Sequence, residues 1–165
     1  MLREIVLEDS ISFLELNKQL DWESTYLLFE PNERMTTAEQ QENMVSHFIR
    51  SENSTIILAE VDDQLVGHIT VVGGNTNRIK HRAHIVVGIL ERFSGQGIGR
   101  KLFEQVERWR ETTCVTRLEL TVMANNERAI GLYKKVGFQV EGIKEHSIKI
   151  NNEYIDESYM AKVYK

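Results

Sequence analysis

The fold of this chain is decided by the stretch Ile85-Val86-Val87-Gly88-Ile89-Leu90-Glu91-Arg92-Phe93-Ser94-Gly95-Gln96-Gly97-Ile98-Gly99-Arg100-Lys101-Leu102. Its first part is a short apolar run rich in β-branched residues, which predicts a strand buried on both faces. Its last part begins a helix. Between them lie three glycines at alternate positions, Gly95, Gly97 and Gly99. The stretch therefore predicts a strand, a glycine loop and a helix in direct succession.

The glycine loop predicts a phosphate-binding site. Such a loop lets successive backbone N–H groups turn toward one point, and the N-terminus of the following helix adds positive potential there. The dinucleotide pattern G-x-G-x-x-G is excluded because the spacing here is G-x-G-x-G. The Walker pattern is excluded because no G-x-x-x-x-G-K-[S/T] occurs. Taken alone, the loop is also compatible with nothing more than a tight turn.

A second stretch with a distinctive spacing lies downstream, Asn125-Asn126-Glu127-Arg128-Ala129-Ile130-Gly131-Leu132-Tyr133-Lys134-Lys135-Val136-Gly137-Phe138. Together the two stretches resemble the GCN5-related N-acetyltransferase (GNAT) superfamily. The first is similar to that family's acetyl-CoA pyrophosphate loop, written Gln/Arg-x-x-Gly-x-Gly/Ala. The second is similar to its Asn-x-x-Ala-x-x-x-Tyr-x-x-x-Gly-Phe segment. Ser94 stands where the family has Gln or Arg. The family residue mainly shapes the loop and covers the phosphates, so we expect cofactor binding to survive, at full or at reduced affinity.

The chain read in order predicts an α/β fold. The element order β-α-α-β-β-β-α-β-α-β-β indicates one mixed, largely antiparallel central sheet, and the GNAT resemblance implies helices on both of its faces. It also implies that the strand ending near Ile89 and the strand Thr116–Val122 are parallel and splay apart at their C-terminal ends. The cofactor's pantetheine arm would enter that V-shaped opening.

The resemblance also assigns the residues that bind acetyl-CoA, the co-substrate. It implies that the backbone of Val87 and Ile89 pairs with the pantetheine arm. It implies that the pyrophosphate is held by Gly95, Gln96, Gly97, Ile98, Gly99 and Arg100. Asn125 is expected to orient the cofactor or a bound water.

Tyr133 occupies the position of the family's general acid. The resemblance therefore implies that its hydroxyl protonates the departing thiolate, with a backbone N–H near Ile89 polarising the thioester carbonyl. A tyrosine at helical spacing is, on its own, more often a core residue than a catalyst.

The general base is less well defined by the sequence. Some family members carry a Glu early on the central strand, and counting back from the glycine loop leads to Ala83, which has no titratable group. The neighbouring His84 is the candidate, acting directly or through water; the alternative is a histidine merely packed on a sheet face. No cluster of His, Cys and carboxylates has zinc-like spacing, so we predict no metal.

The acceptor-binding residues are expected between the first two helices. The region from Asp21 to Pro31 is aromatic and acidic, and we interpret it as a loop with room for one helical turn. In the resembling family this region forms one wall of the acceptor site, which makes Trp22, Glu23 and Glu30 candidates for binding a cationic amine. The alternative is that the aromatic residues pack on the core.

Composition bounds the class of protein. The chain has 165 residues, 41% hydrophobic and 27% charged, with a net charge of −5, which predicts a single globular domain over residues 1–165. The acidic balance argues against nucleic acid as a partner. No apolar run approaches the roughly 20 residues of a membrane helix, so no membrane partner is expected. The lone Cys114 cannot form an internal disulfide, which suits a reducing cytoplasm.

The function implied is acetyl transfer from acetyl-CoA to an amine, by direct attack in a ternary complex. Acceptors within that class include small molecules and protein N-termini, and the sequence does not choose between them. Glu141-Gly142-Ile143-Lys144 and Tyr154-Ile155-Asp156 are similar to the branch with ribosomal-protein N-terminal and spermidine acetyltransferases. The alternative is a non-catalytic acyl-CoA-binding or sensor module. The last two strands offer an edge for a homodimer.

Overall fold

The computed structural model describes residues 1–165 and is built on one seven-stranded sheet. The spatial strand order is β1-β2-β3-β4-β5-β7-β6. The strands are β1 Leu2–Glu4, β2 Thr55–Val61, β3 Gln64–Gly73, β4 Arg82–Ile89, β5 Arg117–Met123, β6 Gln139–Ile150 and β7 Glu153–Val163. Every neighbouring pair is antiparallel except β4 and β5, which are parallel.

Four α-helices accompany the sheet. They are α1 Ser10–Glu23, α2 Ala38–Arg50, α3 Ile98–Arg110 and α4 Glu127–Lys135, with short 3-10 turns before α1 and after β4. The predicted element order and the largely antiparallel mixed sheet are confirmed. None of the helices combines the length and apolar character that a membrane span requires.

Local sequence signals set the ends of several elements. At the start of α2 the Thr37 hydroxyl accepts a hydrogen bond from the Gln40 N–H at 3.2 Å, and the Gln40 side chain accepts one from the Thr37 N–H at 2.9 Å. This reciprocal pair is a capping box. At the start of α4 the Asn126 side chain accepts from the Ala129 N–H at 3.3 Å. Both helices therefore begin where their polar side chains satisfy first-turn N–H groups.

The helices lie on both faces of the sheet, as the resemblance implied. The His68 ring of β3 meets the Phe13 ring of α1 edge-on, with centroids 5.1 Å apart. On the opposite face, α3 and the segment from α4 into β6 share an aromatic cluster in which the Phe103 ring lies 5.8 Å from Tyr133 and 5.6 Å from Phe138. We call the face with His68 the acceptor face and the other the α3 face.

The parallel pair β4–β5 opens at its C-terminal end. The two strands are paired only at Arg82–Arg117, Ala83–Leu118 and His84–Glu119. Beyond His84, β4 continues to Ile89 and β5 to Met123 without a further pair. The predicted splay is thus confirmed, and it leaves a gap between two strands in the middle of the sheet.

Candidate functional site

The backbone of β4 presents unpaired groups to the gap. The Leu90 N–H donates to the Val66 carbonyl of β3 at 2.8 Å. Because backbone groups alternate in direction along a strand, the even-numbered residues of β4 bond toward β3. The odd-numbered ones, including Val87 and Ile89, are directed toward β5, which has already diverged. An extended chain in the gap finds free donors and acceptors at these two residues.

The loop after β4 adopts the backbone conformation that its glycines permit. Gly95 has φ +75° and Gly97 has φ +82°, both in the left-handed region. An added Cβ at either residue would meet no atom within 4 Å, so the space above the loop is open. Gly97 is the residue immediately before α3. The two glycines are therefore needed for the positive φ angles of the loop and not for close packing against neighbouring atoms.

Six consecutive N–H groups in this loop are free. The N–H groups of residues 95–100 donate no hydrogen bond within the chain, and the first N–H bonded again is that of Lys101, to the Gly97 carbonyl at 3.1 Å. Free N–H groups at a helix N-terminus, with the positive end of the helix dipole, bind anions. The Gln96 side chain donates to the Arg92 carbonyl at 3.1 Å and braces the loop from within. The Ser94 N–H bonds to the Glu91 carbonyl at 3.0 Å, so the loop closes without a Gln or Arg at position 94.

We expect Gly97→Ala to weaken acetyl-CoA binding by about tenfold, because an alanine at this positive φ is strained by roughly 1–2 kcal/mol. The relaxed loop would redirect the free N–H groups. Isothermal titration calorimetry with acetyl-CoA measures the effect. The matched control is Gly142→Ala in β6, where φ is not positive and an added Cβ meets nothing within 4 Å. Equal affinities of the two variants would contradict the role given to Gly97.

Tyr133 is both a core residue and a candidate acid. Its side chain is 9% exposed and packs among Phe103 and Phe138. Burial raises the pKa of the Tyr133 phenol to about 12. Its hydroxyl makes no hydrogen bond within the chain, although the Tyr164 hydroxyl, also on the α3 face, is bonded to Glu107. The Tyr133 hydroxyl stays protonated at neutral pH and is free to donate.

Asn125 and Asn126 have different environments. Asn126 stands three residues before Ala129 and seven before Tyr133, the spacing of the family segment, and its side chain is engaged in capping α4. Asn125 is exposed and lines a cleft on the acceptor face. The orienting role expected of Asn125 stays a prediction.

A cleft of about 290 Å³ lies beside the C-terminal end of β5. It combines three parts of the chain: the loop after α1, the turn from β5 into α4, and the β6–β7 hairpin. Its lining residues are Thr25, Tyr26, Met123, Asn125, Ile150, Asn151, Glu153 and Ile155. The loop between α1 and α2 thus forms one wall of this cleft, and its role in binding the acceptor stays a prediction. The hairpin residues were missed because only the antiparallel pairing of β6 with β7 brings them to this place.

The three acceptor-binding candidates lie outside the lining of this cleft. Trp22 and Glu23 belong to the last turn of α1 rather than to a loop, and Trp22 is 63% exposed, so it does not pack on the core. The Glu23 carboxylate accepts hydrogen bonds from the Glu91 N–H at 3.0 Å and from the Gln19 side chain at 3.0 Å. Glu30 is exposed. Glu23 therefore ties α1 to the loop after β4, while Thr25 and Tyr26 meet the cleft.

His84 lies on the acceptor face of β4, in register with Glu119 of β5. It retains an exposed surface, yet partial burial lowers its pKa from the ordinary value, and the Glu119 and Glu157 carboxylates offset part of that shift. Four strand residues, about 13 Å, separate it from Gly88 near the reactive end of β4. His84 is therefore too far from that end for direct contact. No three His, Cys, Asp or Glu side chains converge as a metal site would require, and the predicted lack of a metal stays a prediction.

Comparisons with known proteins point in one direction. Residues 16–138 match the model of the Acetyltransferase (GNAT) family. The chain is 34% identical over 111 residues to the L-amino acid N-acetyltransferase AaaT of Escherichia coli K12, a match that covers 65% of this chain and 67% of that protein. It is 28% identical over 107 residues to the spermidine N(1)-acetyltransferase of the same organism, covering 64% of this chain and 56% of that enzyme. The fold matches a crystal structure of a GNAT-family acetyltransferase from Streptococcus pneumoniae, with a TM-score of 0.95, 24% identity, and 100% and 99% of the two chains covered.

Proposed function

This chain belongs to the Acetyltransferase (GNAT) family and is an acetyl-CoA-dependent N-acetyltransferase, and we propose that it acetylates a primary amine by direct attack in a ternary complex. The observation that carries the proposal is the gap between β4 and β5 together with the free N–H groups of residues 95–100. The first fits an extended amide-bearing arm, and the second fits a pyrophosphate. The acceptor is a small molecule or a protein N-terminal amine.

The residues that hold acetyl-CoA follow from this fit. Val87 and Ile89 pair with the pantetheine arm through their free backbone groups. The N–H groups of residues 95–100 hold the pyrophosphate, and Arg100, an exposed cation beside the loop, adds charge. Acetyl-CoA supplies the acetyl group as a thioester, and no metal takes part.

The chain's own groups then assist the transfer. The acceptor nitrogen must be neutral to attack the thioester carbonyl. A backbone N–H near Ile89 stabilises the oxyanion as the C–N bond forms. The Tyr133 hydroxyl donates to the sulfur as the C–S bond breaks, and Asn125 orients a water at the cleft. Solvent restores the proton on Tyr133.

We propose that His84 takes up the acceptor's proton through water, which makes the reaction pH-dependent. Its pKa is lowered, so the imidazole is neutral above that value and charged below it. We expect kcat/KM to fall with decreasing pH, with the midpoint below the ordinary imidazole value of about 6.5. In His84→Gln this acid limb should be lost or displaced. A pH–rate profile of both proteins tests this, and an unchanged limb in the variant would remove His84 from the role.

The decisive experiment is acetyl-CoA-dependent release of free thiol across a panel of amines. The panel contains spermidine, a set of L-amino acids and a short peptide with a free N-terminus. We expect turnover with one of these classes. Acetyl-CoA binding without turnover on any amine would contradict the proposal and favour an acyl-CoA-binding module.

We also propose that the enzyme works in the cytoplasm, where acetyl-CoA is found, as a single domain over residues 1–165. We expect neither nucleic acid nor a membrane among its partners. The edge position of β6 supports the proposed homodimer. Sedimentation analysis tests the oligomeric state.

A further inference from the structure

Strand β7 carries a largely buried carboxylate that has no role in the steps described so far. The Glu157 side chain is 12% exposed. The antiparallel register places Glu157 opposite Met123, the last residue of β5. Met123 and Ile155 both line the cleft. Because residues two apart on a strand share a face, Glu157 lies on the same face as Ile155, directly beside Met123 of the cleft lining.

The strand register also places Glu157 at the same height along the sheet as Gly88, near the C-terminal end of β4. His84 and Glu119 are the last paired residues of the parallel strands. Four residues further along each strand lead to Gly88 on β4 and Met123 on β5, with Glu157 beside Met123. Measured along the strand direction, Glu157 is therefore closer than His84 to Gly88, at the end of the gap where we place the thioester.

The Glu157 carboxylate is poorly satisfied by the chain itself. None of the side-chain hydrogen bonds in the structure ends on it, and the nearest cation is Lys144, whose Nζ lies 3.9 Å from Oε1. The Lys144 side chain is 47% exposed. Its Nζ also contacts the Tyr159 ring, 5.6 Å from the ring centroid. Buried carboxylates ordinarily accept several hydrogen bonds. Glu157 therefore has capacity for another cationic donor.

The charges around the cleft restrict the chemical class of the cationic donor that can bind Glu157. Glu153 is the single charged residue among those lining the cleft, and it is acidic. Arg34, in the loop that also carries Thr25 and Tyr26, is committed to a bidentate pair with Asp21. An acceptor that carries a carboxylate beside its amine would find no free cation among the lining residues. An acceptor that carries only amines would meet the Glu153 carboxylate in the lining and the Glu157 carboxylate beside Met123.

We propose that Glu157 binds the amino group of the acceptor and that the cleft thereby selects an aliphatic polyamine over an amino acid. Glu153 lies four residues outward on the same strand face, about 13 Å away, a span comparable with an extended polyamine, and receives its distal ammonium. Glu157 holds the proximal amine as the ammonium. Its proton passes to water, and the neutral nitrogen then forms the C–N bond as the C–S bond breaks. The inference rests on the proposed function and names its substrate class.

Steady-state kinetics with spermidine and acetyl-CoA test the role of Glu157. In Glu157→Gln we expect the KM for spermidine to rise about 10- to 100-fold, as for loss of a charge-assisted hydrogen bond. We expect kcat to change far less and the acetyl-CoA Kd to stay constant. Glu157→Asp, which keeps the charge, should recover part of the loss. Glu145→Gln is the matched control, because Glu145 is exposed and lies outside the cleft lining.

A binding measurement separates this inference from the proposed function. Spermidine is titrated calorimetrically into the enzyme with CoA bound, where no transfer takes place. Binding that is lost in Glu157→Gln and kept in Glu145→Gln supports the inference whatever the turnover. An unchanged spermidine KM in Glu157→Gln, a loss confined to kcat, or a wild-type preference for L-amino acids would overturn it. The last outcome would leave the acetyltransferase function intact.

Discussion

We expect Tyr133→Phe to lower kcat by about tenfold or more and to leave the Kd for acetyl-CoA unchanged. The hydroxyl makes no hydrogen bond within the chain, so its removal leaves the packing among Phe103 and Phe138 in place. The lost group is the proposed donor to the departing sulfur, and general acid catalysis contributes about 10²–10⁴-fold in enzymes. A CoA thiolate is a good leaving group, so we expect the loss in kcat to lie at or below the lower end of that range. Thiol release under saturating acetyl-CoA and acceptor measures kcat directly.

Tyr164→Phe is the matched control. Tyr164 also lies on the α3 face, and burial together with its hydrogen bond to Glu107 raises its pKa. Its removal should lower stability by about 1 kcal/mol and leave kcat unchanged. Equal kcat values for Tyr133→Phe and wild type would show that protonation of the thiolate comes from solvent.

The pH profile offers an independent test of Tyr133. Because burial raises its pKa to about 12, the phenol stays protonated throughout the neutral and mildly alkaline range. We therefore expect no alkaline fall of kcat from Tyr133 below about pH 11. A fall in wild type near the ordinary phenol pKa of about 10, absent from Tyr133→Phe, would contradict the environment described for this residue.

The parts of the fold that the sequence predicts are those that residues close together in the chain determine. The apolar run of β4, the positive-φ glycines and the start of α3 follow one another, so each local preference supports the next. The capping residues Thr37 and Asn126 are likewise readable from neighbours three positions away. The backbone conformation of the proposed cofactor-binding loop can therefore be predicted from contiguous sequence.

The acceptor side depends on contacts distant in the chain. Glu157 has no local motif; its place follows from pairing with Met123, 34 residues earlier. The sequence indicates a loop from Asp21 with room for a helical turn, and in the structure α1 continues through Asp21 to Glu23. The reason is tertiary, since Asp21 is buried and receives Arg34 from the far end of the loop. Such a partner cannot be deduced from spacing alone.

The buried ion pair between Asp21 and Arg34 gives the second large effect. We expect Arg34→Met to lower the free energy of unfolding by about 3 kcal/mol. Asp21 is 2% exposed, and Arg34 donates to it through Nε at 2.8 Å and through a terminal nitrogen at 3.1 Å. Removal of the guanidinium leaves a buried carboxylate without its partner, and it also removes the contact of Arg34 with the Phe29 ring at 4.6 Å. Urea denaturation followed by circular dichroism measures the change.

The double variant Asp21→Asn/Arg34→Met separates the unpaired charge from the lost contacts. It should recover part of the stability, since no charge then remains buried. Arg100→Met is the exposed comparison, because its pair with Glu104 lies at the surface and contributes about 0.5 kcal/mol or less. A loss in Arg34→Met no larger than in Arg100→Met would contradict the structural importance of the pair. If the large loss is found, the loop that carries Thr25 and Tyr26 to the cleft depends on one ion pair, and the acceptor KM should rise in Arg34→Met while acetyl-CoA binding is kept.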